Sequence, residues 1–231
     1  MNEKYELTEE FKEIETLREG WLQKIKVYRI RALRAFADVK IGDLGGFVET
    51  KQNLSNMGNA WVYGNAEVYD NARVCDNARV CDNAKVCDNA RVYGNAKVYG
   101  DAWVCDNARV CGNAKVYGDA WVYGNASVCG NAKVYGDARV CGNAKVCDNA
   151  NIFWCSSIGS RHATTTMFRN TDNGITVTCG CFLGTLEEFA ERVEKEHGEN
   201  IFGKEYKLLI ELAKIHFGLQ DETKGEEENG I

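Results

Sequence analysis

The sequence predicts a mainly-β chain whose middle section is wound as a parallel β-helix. Two observations predict it: a six-residue repeat occupies residues 60–153, and nothing interrupts it. Ala recurs at every sixth position from Ala60 to Ala150, and Val does the same from Val62 to Val146. A fixed short period is typical of solenoids, and a β-branched residue in a fixed slot favours strand over helix. We therefore expect stacked coils rather than a mixed globular core.

Each repeat unit reads Ala-x-Val, then Tyr or Cys, then Gly or Asp, then Asn or Asp. Ala and Val are two apart, so both lie on one face of an extended strand, and we expect that face to point inward. The last two residues tolerate turn conformations, so each unit is a short strand followed by a corner. Three units make a coil of about 18 residues, and residues 18 apart should stack. On this scheme Ile152 continues the Val series.

This pattern resembles the hexapeptide-repeat family of left-handed parallel β-helices. In that family an aliphatic residue and a small residue four places later point into a triangular prism, as Val62 and Ala66 would here. The resemblance implies a left-handed triangular solenoid. Many members are acyltransferases, usually trimers with a His between subunits. The only His residues here, His162, His197 and His216, follow the repeat.

The segments on either side of the repeat predict a cap and a second module. We predict an N-terminal cap at 1–44, the β-helix at 45–160 and an α+β module at 161–231. The cap contains alternating apolar and basic residues at 26–33, which predict a strand. The module contains a β-hairpin at 163–179, a helix opened by the capping box Thr185-Leu186-Glu187-Glu188, a second helix at about 204–217 and an acidic tail at 220–231.

The net charge and the first residues of the chain limit the kinds of partner that we expect. The net charge is −6, and counting along the chain assigns all of it to residues 154–231. Bulk charge therefore gives no reason to expect nucleic acid. The start has no basic or apolar leader and no run is long enough for a membrane span, so we expect a cytoplasmic protein of a bacterial host that does not bind membranes.

The chain has 11 Cys, an odd number. Eight occupy one repeat slot, which favours a structural slot residue over metal or redox chemistry, although both alternatives stay open. We expect no metal and no cofactor. The eight are Cys75, Cys81, Cys87, Cys105, Cys111, Cys129, Cys141 and Cys147.

Stacking at 18 residues sorts the outward side chains into three faces. The first carries a Lys column beside a Tyr column, which could bind an anionic ring-bearing ligand or could simply be a soluble strand surface. We expect Asn151 and Phe153 to end this face. Its candidate ligand-binding residues are Lys97, Tyr99, Lys115, Tyr117, Lys133 and Tyr135.

The second face carries Trp103 and Trp121 one rung apart, with Tyr123 beside them. These three side chains form a cluster too large to expose without a cause. We predict a contact between subunits of a dimer or trimer, or the packing of a terminal segment. A ligand platform is the alternative.

The exit from the solenoid breaks the repeat and is the preferred place for a specific ligand. Arg161 and His162 follow Ser and Gly residues there, a combination that suits an anion pocket, although a solvated corner loop is the simpler interpretation. Cys179 follows in the hairpin and belongs to a Cys-Gly-Cys sequence. The candidate ligand-binding residues of this region are therefore Arg161, His162 and Cys179.

The chain also looks like proteins of gut bacteria and their phages in the order of its segments. A cap with Asp-Leu-Gly-Gly-Phe-Val comes first, near-perfect repeats follow, and a module with Gly-Cys-Phe-x-Gly-Thr-Leu-Glu-Glu-Phe comes last. Those proteins carry loose labels such as transferase-like or polymer-forming. The resemblance implies a mobile-element setting, in which small binding proteins block host defence or sequester a nucleotide signal. We therefore predict a non-catalytic binding or scaffold protein, with an acyltransferase as the alternative and no residue assigned to catalysis.

Overall fold

The repeat forms a parallel β-solenoid of about six turns. The computed structural model describes residues 3–18, 20–147, 151–170 and 172–219, so the predicted acidic tail at 220–231 lies outside the described residues. Each repeat unit supplies one two-residue strand. The strands are β4 (Trp61–Val62), β5 (Glu67–Val68), β6 (Arg73–Val74), β7 (Arg79–Val80), β8 (Lys85–Val86), β9 (Arg91–Val92), β10 (Lys97–Val98), β11 (Trp103–Val104), β12 (Arg109–Val110), β13 (Lys115–Val116), β14 (Trp121–Val122), β15 (Ser127–Val128), β16 (Lys133–Val134), β17 (Arg139–Val140) and β18 (Lys145–Val146).

The predicted register is confirmed, because strands pair in parallel with partners 18 residues away. Lys97 pairs with Lys115, and Val98 with Val116. The Val and Ala slots of the described coils are buried and form one continuous core. Three sheets result, with the strand orders β16-β13-β10-β7-β4, β18-β15-β12-β9-β6 and β5-β8-β11-β14-β17.

The corners are stabilised from rung to rung by side chains as well as by the backbone. Five corner Asp residues adopt positive φ, a conformation that costs energy for residues other than Gly. Their carboxylates accept backbone hydrogen bonds from the next rung, as Asp82 Oδ2 does from Gly100 N at 3.0 Å. Asn side chains form a second ladder, in which Asn77 Nδ2 donates to Asn95 Oδ1 at 3.1 Å. These bonds explain why Asp and Asn recur at the corners.

The N-terminal segment is a long hairpin that extends one sheet. Strands β1 (Tyr5–Arg18) and β2 (Trp21–Ala32) pair antiparallel, and β3 (Leu44–Val48) pairs with β2 and then in parallel with β5. The predicted strand at 26–33 lies in β2 except for its last residue, Leu33. The sequence did not indicate β1, because half of its 14 residues are charged.

The same segment also covers the first rung. Trp61 occupies the slot between Ala and Val, which points outward in the repeat, yet it is only 1% exposed. Its ring makes edge contacts with those of Tyr5 and Phe36, at centroid distances of 6.1 and 5.3 Å. The cap therefore covers part of a face as well as the end of the core.

The C-terminal part is a four-stranded antiparallel sheet with two helices. Its elements are β19 (Ile152–Ile158), β20 (Ala163–Arg169), β21 (Ile175–Cys179), β22 (Phe182–Thr185), α1 (Leu186–His197) and α2 (Ile201–Phe217). The predicted hairpin is β20–β21, and the capping box at Thr185 begins α1. Helix α2 begins three residues earlier than predicted, because Asn200 caps it and accepts from Gly203 N.

The pairing of strands changes at the solenoid exit. Ile152 stays buried in the solenoid core, as its place in the Val series predicts, but it pairs antiparallel with Phe168 in the C-terminal sheet. Phe153 lies in a cavity with Tyr117 and Tyr135 at the end of the Lys-Tyr face. The C-terminal sheet sits on the last coil, where Arg139 N donates to Thr166 Oγ1 at 3.1 Å. None of the helices in the described part of the chain has the length and apolar character needed to cross a membrane.

Candidate binding site in the C-terminal module

A cavity of about 170 Å³, which we call the C-terminal cavity, opens between the β21–β22 turn and the two helices. Arg161 reaches it from the loop after β19, and Cys179 reaches it from the end of β21. The turn residue Gly180 has φ +59, and a Cβ atom built there would lie 3.9 Å from an Arg161 guanidinium nitrogen. The lining residues are Ser160, Arg161, Ala163, Cys179, Gly180, Cys181, Phe182, Phe189, Arg192, Val193, Glu196, His197 and Tyr206.

The floor of the C-terminal cavity is aromatic. Phe189 contacts Phe182 at a centroid distance of 5.3 Å and meets Tyr206 edge-on at 5.5 Å. The Tyr206 hydroxyl lies 3.6 Å from Cys179 Sγ. Burial, together with the hydrogen bond to Cys179, raises the pKa of Tyr206, so its hydroxyl stays protonated at neutral pH. The floor therefore offers ring surface and one neutral hydroxyl.

The rim of the cavity carries Arg161, His197 and an Arg192–Glu196 ion pair. Arg161 and Arg192 are both exposed, and His197 is half-buried beside the Tyr206 ring at 5.7 Å. Arg192 Nε donates to Glu196 Oε1 at 2.8 Å, which occupies part of its guanidinium. Among the residues the structure describes, Arg161 forms no ion pair. The Arg161 guanidinium above aromatic rings suits an anion that carries a ring.

Of the three junction residues predicted from sequence, two meet in this cavity. Arg161 and Cys179 line it, whereas His162 does not. His162 adopts φ +47 in the tight turn after Gly159, whose carbonyl accepts its N–H at 3.1 Å, and its side chain is exposed. The turn therefore directs Arg161 into the cavity and leaves His162 outside it, a difference that the sequence could not show.

Sequence reasoning missed the helical half of the site. Arg192, His197 and Tyr206 lie on α1 and α2, where the apolar pattern indicated only packing against the sheet. The spacing of residues in α1 could have indicated Arg192, because it follows the inward Phe189 by three residues and so lies on the same side of the helix. The role of Gly159 was also missed: its φ is +70, and a Cβ there would lie 1.9 Å from the Tyr206 hydroxyl. Only the packing of α2 on the loop shows this contact.

The Lys-Tyr face forms a regular column, as predicted. The rings of Tyr99 and Tyr117 are parallel within 1° at 4.8 Å, and those of Tyr117 and Tyr135 within 9° at 5.1 Å. Tyr135 then meets Trp154 edge-on at 4.5 Å. The column therefore ends against β19.

A second cavity, of about 390 Å³, lies at this end of the column. We call it the junction cavity. Only some of the ligand-binding residues predicted on the Lys-Tyr face belong to this cavity. Tyr117, Lys133 and Tyr135 line it, whereas Lys97, Tyr99 and Lys115 do not. Its lining residues are Tyr117, Lys133, Tyr135, Ile152, Phe153, Trp154 and His216.

The Trp cluster of the second face has cations at both ends. Lys85 Nζ lies 4.9 Å from the Trp103 ring centroid, and the Arg139 guanidinium carbon lies 5.7 Å from that of Trp121. Tyr123 is half-buried and packs against the core. Trp121 remains 39% exposed. The contacts of the described residues thus leave part of the cluster open.

Fold and repeat together define the chain as a β-solenoid protein of the repeat β-helix kind. Three windows, residues 84–100, 90–106 and 108–124, match the family model described as YdcK Beta solenoid repeat. All three lie in the middle coils; they include none of the residues that line the C-terminal cavity, and of those that line the junction cavity they include Tyr117. A comparison with curated proteins gives no match.

Proposed function

We propose that the protein is a non-catalytic binding protein that holds a small anionic, ring-bearing ligand in the C-terminal cavity. One observation carries the proposal: Arg161, Arg192 and His197 surround a floor of Phe182, Phe189 and Tyr206. Arg binds phosphate or carboxylate through paired N–H groups, and aromatic floors bind rings. The middle coils also hold a cavity of about 290 Å³ lined by Arg73, Cys75, Arg91, Tyr93 and Arg109, but its arginines repeat one column of the solenoid and no aromatic floor lies beneath them.

The size of the cavity limits what it can enclose. Sites that bury a whole drug-sized ligand measure about 300–1,000 Å³, so a cavity of about 170 Å³ takes one phosphate or one ring. The remainder of a nucleotide would extend past the exposed guanidinium of Arg161. In the mobile-element setting that the resemblance implies, such a protein would sequester a nucleotide signal of host defence.

Adenosine monophosphate is a suitable probe because it combines a phosphate with a ring. Isothermal titration of the full chain should show binding, and Arg161→Ala should weaken it by about 10- to 100-fold through loss of a charge-assisted pair. Lys115→Ala is the matched control, since it removes one positive charge from the Lys-Tyr column and not from the cavity. A loss with Lys115→Ala and none with Arg161→Ala would contradict the assignment.

The same titration separates binding from catalysis. If the chain instead turns over acetyl-coenzyme A in the presence of an acceptor amine, the acyltransferase alternative is favoured. The proposed binding protein should leave acetyl-coenzyme A unchanged.

We also propose that the chain forms a homo-oligomer through the Trp103, Trp121 and Tyr123 cluster. The support is the partial exposure of a stacked aromatic pair, since aromatic side chains are enriched at subunit interfaces.

A further inference from the structure

The parallel strands β8 and β11 bring two thiols and a carboxylate together on the outside of the solenoid. Cys87 and Cys105 each follow the buried Val of a strand, and those strands are paired in register. The sulfur atoms of Cys87 and Cys105 and one carboxylate oxygen of Asp88 all lie within 4.8 Å of one another. Cys87 Sγ is 3.4 Å from Asp88 Oδ2. We propose that Cys87, Asp88 and Cys105 bind a thiophilic divalent metal ion such as Zn²⁺.

The spacing of the ligand atoms suits a tetrahedral ion. Zinc lies about 2.3 Å from thiolate sulfur and about 2.0–2.2 Å from carboxylate oxygen, so tetrahedral S and O ligands are separated by about 3.5 Å. The 3.4 Å between Cys87 Sγ and Asp88 Oδ2 is already close to that value. The three ligand atoms already lie within 4.8 Å of one another, so rotation of the side chains can bring the remaining separations to the tetrahedral value.

This is the only place among the described residues where two Cys-Asp pairs stack. Cys75 and Cys81 are also followed by Asp, but the positions 18 residues after them hold Tyr. At the proposed site Cys87-Asp88 lies directly under Cys105-Asp106. Asp106 N donates to Asp88 Oδ2 at 3.2 Å, which holds that carboxylate over the adjacent rung. The second Cys-Asp pair therefore orients a ligand of the first.

The surroundings exclude water from one side of the site. Cys87 is 6% exposed and packs with Ile25 and Val27 of the β2 strand and with Tyr69. Cys105 is half-buried on the next rung, so the two sulfurs lie at the edge of this packed patch. The ion would displace two thiol protons and form two metal–sulfur bonds and one metal–oxygen bond.

Three protein ligands leave the fourth tetrahedral position to water. The ion would join two rungs beneath the N-terminal hairpin. Since a metal that binds only the folded chain stabilises it, Zn²⁺ should also raise the melting temperature.

Cobalt(II) serves as the probe, because tetrahedral thiolate coordination gives it visible absorption bands. Titration of the reduced full chain should produce those bands. Cys87→Ser and Cys105→Ser should each weaken cobalt binding by more than about 100-fold. Losing a direct metal ligand weakens binding more than losing a residue that only orients a ligand. Circular dichroism of the metal-free variants checks that the solenoid is intact.

Two matched controls test the location. Cys141→Ser changes a buried Cys of the same face that has no Cys 18 residues before it, and Cys129→Ser disrupts a different close thiol pair, in which the sulfurs of Cys129 and Cys147 are 2.7 Å apart. Both variants should bind cobalt like the unaltered chain. No thiolate bands in any form, or bands lost in Cys129→Ser and kept in Cys87→Ser, would overturn the proposal.

Discussion

The indole rings of Trp103 and Trp121 lie one rung apart, parallel within 4° and with 5.1 Å between their centroids. Parallel pairing of β11 with β14 fixes this separation, because the two residues are register partners. Lys85 and Arg139 bound the pair on the rungs before and after it. The result is a short aromatic surface with charged ends, which is the form expected of a contact patch.

If this surface joins subunits, replacing both Trp103 and Trp121 by Lys should lower the mass measured by light scattering. Two added charges would have to be desolvated at the contact, which costs several kcal/mol. Circular dichroism should stay unchanged because neither side chain points into the core.

A second apolar surface provides the comparison. Helix α2 exposes Leu208, Leu212 and Ile215, which are 72%, 51% and 65% exposed. Leu208→Glu together with Leu212→Glu should leave the mass unaltered. A fall in mass with these changes and none with the Trp changes would place the contact on α2.

The coil register can be tested at two adjacent residues. Val98 is fully buried and Lys97 is exposed. Val98→Asp should bury an unpaired charge and lower the free energy of unfolding by several kcal/mol, whereas Lys97→Asp should change it by less than about 0.5 kcal/mol. Thermal unfolding measures both, and equal losses would contradict the inward assignment of the Val slot.

The cap contains a buried ammonium group that should make stability depend on pH. Lys4 is fully buried, and its Nζ donates to the Ala60 carbonyl at 2.9 Å. Burial, with a smaller effect of Arg34, lowers the pKa of Lys4 from 10.5 to about 8. Between these values the unfolded chain holds a proton that the folded chain has released, so stability from this group rises with pH.

The measurement is the difference in free energy of unfolding between the unaltered chain and Lys4→Met. From pH 8 to pH 10 this difference should move in favour of the unaltered chain by about 2 kcal/mol. Comparing two variants cancels the opposite trend from Cys and Tyr groups with raised pKa values. A difference that stays flat over this range would show that Lys4 titrates normally in the fold.

The Asn ladder should contribute to stability although it lies on the surface. Asn95 accepts from Asn77 and donates to Asn113, each at 3.1 Å. Asn95→Ala removes both bonds and should cost about 1 kcal/mol. Asn65→Ala is the control, because Asn65 occupies the equivalent slot and its side chain makes no hydrogen bond within the described part of the chain. Equal unfolding midpoints for the two variants would argue against the ladder.

Much of the fold could be predicted because the repeat is periodic. An inward Val or Ala every few residues and a turn residue at each corner determine the strands, and the constant period determines that Lys97 lies on Lys115. The same argument placed Trp103 next to Trp121. Because the backbone pairing is regular, the position of each rung follows from the repeat and does not depend on any distant segment.

The ends and the candidate site depended on contacts between distant segments. Burial of Trp61 requires Tyr5 and Phe36, and the C-terminal cavity requires the packing of Tyr206 against the Gly159 loop.

The sequence by itself therefore determined the coil, its register and the three outer faces, because short-range periodicity dictates them. Only the tertiary structure decided that Arg161 meets Arg192 and that His162 does not line the cavity, because those positions follow from how non-repeating segments pack.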